Sequence, residues 1–270
     1  MTAHAPLPWR RSTIILNRPR GAALTAPVSL PAAPARFADI LPAVRAIADA
    51  FQSEAHQAMA GLDQPVTCSC GCDACCRHLV MLGETEALAL LRTLRTLPED
   101  HQNRVRARFR AGLERLEAAG LTPDLYATFT REVHNQRRLG EMQTAYWELQ
   151  IPCPFLEDGS CGIYAERPLI CRQYAMTSPP AACRTPFSAG TTMVKVLPPY
   201  DLAGAAAAFD GQQAHASRAL PLLFCLLRES HLNRRVFPVL EPEPMLARFL
   251  EFAAEHYARA DQPPYDKERP

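Results

Sequence analysis

Cysteine is bunched in this sequence. Cys68, Cys70, Cys72, Cys75 and Cys76 fall within nine residues, and Cys153, Cys161, Cys171 and Cys183 follow after about 75 intervening residues. Soft sulfur donors gathered this way suit zinc, iron and iron–sulfur centres. In the first set, Cys72 and Cys75 have the two-residue spacing of a metal knuckle, and Gly71 lets the backbone turn sharply. Core packing is the bland alternative, since free cysteine is commonly buried. Five thiols beside Ser69, Gly71 and Asp73, however, make no apolar stripe. Cys225, alone in the run Leu222 to Leu227, does fit the bland account and is expected to be a small buried hydrophobe.

The second set is too widely spaced for a single zinc knuckle, so its loops must fold around whatever the thiols hold. Gly159 and Gly162 flank Ser160 and Cys161 and predict a tight turn, while Pro152, Pro154 and Pro168 stiffen the approach. Arg167 and Arg172 are the cations nearest Cys161 and Cys171. They would either offset thiolate charge or make surface salt bridges. The side chains of adjacent Cys75 and Cys76 tend to diverge, which favours two metals or a multinuclear cluster over one mononuclear zinc.

The run Cys68-x-x-Gly-Cys72-x-x-Cys75-Cys76, then Cys153-Pro-Phe-Leu-Glu-Asp-Gly-Ser-Cys161-x-Ile-Tyr-x-x-Arg-Pro-Leu-x-Cys171-Arg-x-Tyr, resembles the zinc- or iron-chelating cysteine-cluster family, the YkgJ-like proteins with a CxxCxxCC signature. The resemblance covers about residues 65–185. It implies a chelating domain assembled from both halves, with iron, an iron–sulfur cluster or zinc as the bound species. The ligands it implies are Cys68, Cys72, Cys75, Cys76, Cys153, Cys161 and Cys171, with Cys183 as an eighth. Cys70 competes with Cys68 for its place, and His78 is close enough to Cys76 to stand in for a thiolate. The wide second set leans the expectation toward iron–sulfur, with zinc close behind.

A cluster of this kind would be structural, sensory or electron-carrying. Two other readings stand beside it. One is a metal donor or chaperone with a labile site. The other is an enzyme, because the same signature occurs in proteins resembling flagellin lysine N-methylases, which implies a protein N-methyltransferase-like activity using S-adenosylmethionine. Cys68, Cys72 and Cys75 also have the spacing of a radical S-adenosylmethionine motif, yet the expected barrel of alternating strands and helices is absent, and Cys76 offers a fourth ligand. No Gly-rich dinucleotide loop is found, and His4, His56, His101, His134, His215, His231 and His256 are read as surface or satisfied histidines.

The elements that must carry these thiols read as mainly α, helices surrounding a loop-rich cysteine site with little or no β-sheet. Residues 1–35, rich in proline and alanine and without an acidic residue, read as a disordered basic arm outside the core. Helical periodicity is expected over 35–61, 84–97, 98–119 and 123–149, so a helical insert at 80–150 separates the two halves of a domain at 36–190. Residues 151–190 read as loops, Thr192 to Leu197 as a short strand, and 202–219, 222–232 and 244–259 as helices of a C-terminal segment at 191–260, before a polar tail at 261–270.

At 270 residues the chain can bury a core without disulfide staples, and its net charge of +1 argues against a nucleic-acid partner. No apolar run is long enough to cross a membrane. The Arg10-Arg11 pair is shared with twin-arginine export signals, but Arg18, Pro19 and Arg20 cut the apolar stretch that should follow. A cytoplasmic location with reduced thiols is therefore expected, with a protein partner unidentified.

Overall fold

The computed structural model describes residues 8–16, 23–69, 71–130, 136–214, 219–259 and 265–268. Cys70, His4, His134 and His215 lie outside them. The chain begins with an antiparallel pair, β1 (Trp9–Leu16) and β2 (Leu24–Pro31), in which Trp9 faces Pro31 and Leu16 faces Leu24. This corrects the expectation of a disordered arm. The alternation Leu24, Ala26, Val28, Leu30 is a strand pattern that the prolines obscure, and Ala26, Val28 and Leu30 are buried in the main core.

Helix α1 (Phe37–Gly61) lies against β2 and buries Phe37, Ile40, Leu41, Val44, Ile47 and Phe51, the stripe its periodicity predicts. A short strand β3 (Met81–Gly83) leads into α2 (Glu84–Thr96), then α3 (Glu99–Ala118), α4 (Thr122–Thr130) and α5 (Gln136–Glu148). Pro98 precedes the first turn of α3, with Glu99 and Asp100 inside it, and Gly120 at φ +69° follows its end, as expected. The one helix predicted over 123–149 is described as α4 and α5, with residues 131–135 outside the described set.

Between residues 151 and 190 regular structure is scarce, as the prolines predict. It comprises the hairpin β4 (Leu156–Glu157) and β5 (Ser160–Cys161), the one-turn helix α6 (Leu169–Arg172), β6 (Ala175–Met176) and α7 (Pro180–Cys183). Strand β7 (Met193–Val196) forms where expected. Helix α8 (Leu202–Ala207) stops well short of the predicted 219. Asp210 Oδ1 accepts the N–H groups of Gln212 and Gln213, and Gly211 sits at φ +109°, so turn chemistry overrides alanine's helix propensity there. The chain ends with β8 (Ala219–Pro221), α9 (Glu229–Arg234), α10 (Pro242–His256) and β9 (Tyr265–Glu268). The tail is thus partly ordered: β9 pairs antiparallel with β7, which also pairs with β6.

The fold is mainly α with small sheets, and it has two large apolar cores. The first joins the N-terminal hairpin, α1, α8 and α10 around Phe37, Phe209 and Phe249. The second joins α2, α3, α4, α5 and residues 220–232, and it includes Cys225, fully buried as expected. Ile170, beside Cys171, packs on both. Among the described residues, no helix is long and apolar enough to cross a membrane.

Candidate metal centre

Each cysteine segment is held by a different piece of scaffold. Ala74–Arg77 forms a single helical turn carrying Cys75 and Cys76, and Gly71 at φ +82° provides the preceding bend. The Cys76 carbonyl accepts the Cys153 N–H at 2.7 Å, so the end of the first motif is joined directly to the start of the second. The β4–β5 hairpin turns through Asp158 (φ +47°) and Gly159 (φ +77°), the Asp-Gly pair favoured in two-residue hairpins, and presents Cys161 opposite Leu156. Helix α3 clasps this hairpin. Arg108 donates to the Pro154 carbonyl and to Glu157, whose carboxylate also lies 3.1 Å from His101 and 3.6 Å from Arg104. Arginines of α3 thus hold the cysteine loop.

The Cys171 turn is fixed from behind. Glu86 of α2 accepts the Leu169 N–H at 2.9 Å, and the Gln173 amide bonds the Tyr200 carbonyl and the Ala203 N–H. Buried Arg172 reaches Asp49 of α1 at 2.5 Å and donates to the carbonyls of Arg167 and Ala165. The two arginines left open by the sequence therefore separate. Arg172 points into the scaffold, while Arg167 lines the space between the thiols with its guanidinium 4.1 Å over the Tyr164 ring.

That space is a cavity of about 210 Å³. Cys72, Cys75, Cys76, Cys153, Cys161 and Cys171 border it, closed in by Phe155, Ile163 and Leu222. Six of the eight expected ligands therefore meet from both halves of the sequence; Cys68 and Cys183 lie to one side. The described cysteines are free thiols. Among the described residues, no three cysteine, histidine or acidic side chains already stand around one point, so ligation requires thiols to turn between staggered rotamers. The expected divergence of Cys75 and Cys76 does not occur: their thiols are hydrogen-bonded to each other and border the same cavity. His78 does not border that cavity. Its ring is boxed by Trp147 at 4.8 Å, Tyr174 at 5.3 Å and Phe187 at 6.3 Å, and Nε2 lies 3.4 Å from the Tyr174 hydroxyl.

Electrostatics fit a site completed by a cation. The hydrogen bond from Cys76 brings the Cys75 thiol down to about 7, while the same contact, then burial, push Cys76 up. Burial pushes Cys153 up to about 12 and raises Cys161 and Cys171. Desolvated thiols crowded together resist ionisation, and a bound metal ion would reverse that preference by neutralising them as a group. Burial, then the neighbouring charge of Lys195, holds His78 down at about 4, so it is a neutral imidazole. A second cavity of about 310 Å³ lies on its side of the centre, bordered by Cys75, Cys171, His78, Tyr174, Phe187 and Lys195.

Glu86, Glu157 and Gln173 escape sequence reasoning. In sequence Glu86 reads as ordinary first-turn acid on α2, and only the fold turns it toward residue 169. No curated protein and no solved structure matches the chain. Residues 67–196 match the model of the CxxCxxCC family, described as a putative zinc- or iron-chelating domain. The match begins at the thread that ties Thr67 to Met176 and ends with β7, and over that span the chain is similar to this family.

Proposed function

We propose that this chain binds a multinuclear iron centre, of iron–sulfur type, between Cys75, Cys76, Cys153, Cys161 and Cys171. The observation that supports this reading is the shape of the thiol arrangement. The donors border a cavity of about 210 Å³, several times the ~30 Å³ share of one water. A lone zinc takes four donors at roughly 2.3 Å, fewer than the thiols that border this space. Phe155, Ile163 and Leu222 give the cavity apolar walls, and Arg167 supplies positive charge beside the thiols.

Elemental analysis and visible absorbance of anaerobically purified protein test this reading. Iron with inorganic sulfide and a brown chromophore are expected; colourless protein with stoichiometric zinc would remove the iron–sulfur assignment and leave zinc. Because the bordering thiols must lose protons to bind, affinity is expected to fall as pH is lowered from 8 to 6.

The 310 Å³ cavity behind Cys75 and Cys171 favours a second reading, in which the centre works on a small molecule bound beside it. The methylase-like resemblance makes S-adenosylmethionine the ligand to try. Calorimetry on the metal-loaded protein would detect it, and no heat at millimolar ligand would retire the enzyme reading.

A further inference from the structure

The first cysteine motif is pulled in two directions. At its far end, Cys75 and Cys76 face Cys153, Cys161 and Cys171 across the cavity, joined by the bond from the Cys153 N–H to the Cys76 carbonyl. Its near end goes elsewhere. The Thr67 N–H bonds the Met176 carbonyl at 2.9 Å, the Thr67 hydroxyl bonds the Ser178 carbonyl at 2.6 Å, and Arg184 lies 3.3 Å from Asp73. Thr67 and Asp73 are thereby stitched to residues 176–184, and α7 packs on the turn at 74–77. On that face Cys183 is buried with Ala74, Met176 and Met193, and Cys72 packs against the same group. Cys68, next in chain to the Thr67–Met176 tie, is the exposed member. Cys68 and Cys183 do not border the inner cavity, whereas Cys72 borders it and also packs on the Cys183 group.

We propose that the cysteines form two metal sites back to back: the inner centre described above, and an outer mononuclear site in which Cys68, Cys72 and Cys183 bind a soft divalent cation of the zinc class. This rests on the chelating function proposed for the domain and adds a division of labour to it. Three protein thiolates leave the fourth position of a tetrahedral ion to water or to an incoming donor such as an exogenous thiolate. The inner thiols are half-buried beside Phe155, Ile163 and Leu222. The outer site opens to solvent at Cys68, on a stretch (residues 64–69) with no regular structure. An open coordination position and an exposed ligand make it the exchangeable site, the one through which metal enters or leaves.

The test is chelator-monitored release from anaerobically purified full-length protein supplied with both iron and zinc, each metal followed with its own colorimetric chelator alongside total metal analysis. Two phases are expected from the parent. Cys68→Ser and Cys183→Ser should each lose the fast phase and its share of bound zinc while retaining the slow phase; Cys153→Ser should lose the slow phase. Cys68 is exposed, so its variant guards against a folding defect at buried Cys183. Release of all metal in one phase by the parent, or loss of both phases together in Cys68→Ser, would overturn the two-site division while leaving the chelating function standing. Absence of metal from the parent would overturn both.

Discussion

In the first core, a 25-residue helix, an eight-residue hairpin strand and α10 bring Phe37, Ile40, Phe51 and Phe249 to near-zero exposure, and side-chain packing alone accounts for their order. Around the thiols, no regular element between residues 151 and 190 exceeds four residues. There the backbone is held by isolated buried anchors, Ile151, Phe155, Ile163 and Leu169, and by single hydrogen bonds from outside: Glu86 to Leu169, Arg172 to Asp49, Arg108 to Pro154. Apolar packing is dense and indifferent to cofactor, whereas loops held by scattered anchors are expected to gain further order from a metal bound at the thiols. The two regions should therefore fail separately.

Metal removal should make the largest difference. Stripping the ion should cost the cysteine region several kcal/mol, in line with the coupling of metal binding to folding. Amide exchange protection is expected to collapse over residues 151–190 and to persist over α1. Equal loss in both regions would mean that the metal supports the whole molecule. Next comes Phe37→Ala, which empties a fully buried site between Phe209 at 5.2 Å and Phe249 at 4.9 Å. It should cost about 3–5 kcal/mol by denaturant unfolding. Metal content per folded molecule should be unchanged, and a matching loss of metal would erase the division between the regions.

Arg172→Met probes the link itself. The guanidinium is buried and joins Asp49 to the backbone of the Cys171 loop, but Asp49 is half exposed, so solvent can satisfy part of what is lost. A cost of about 2–3 kcal/mol is expected, together with faster metal release. Unchanged release kinetics in this variant would show that the loop is positioned without α1.

What the sequence disclosed follows the same division. The thiol spacing named the chemistry, and the stripe on α1 and the Pro98 and Gly120 boundaries of α3 were legible, because each is local. The hairpin of β1 and β2 was not, since six prolines in the first 34 residues masked its alternation. The split of the cysteines into bordering and flanking sets depends on which loops meet, as does the boxing of His78 by Trp147, Tyr174 and Phe187. No spacing rule carries such long-range pairings.

The smallest effect concerns Glu86, which lies at 2% exposure with Oε1 on the Leu169 N–H; Oε2 finds no donor among the described residues. Burial raises this carboxyl above its ordinary 4.5, opposed by its bond to Leu169 and by the charges of Arg45 and Arg172. A carboxyl with a raised folded value contributes its stability below the ordinary value and loses it as pH climbs through the raised one. Glu86→Gln keeps the acceptor for Leu169 but cannot titrate. Relative to the parent it should gain stability as pH rises above 4.5, by up to about 1.4 kcal/mol per pH unit across the window where only the unfolded chain is ionised. The gain should appear in urea unfolding of the scaffold and leave metal content unaltered. A variant with the parent's pH slope would mean that Arg45 and Arg172 already hold Glu86 ionised. The loop carrying Cys171 would then be tied to the scaffold by a charged contact rather than a neutral one.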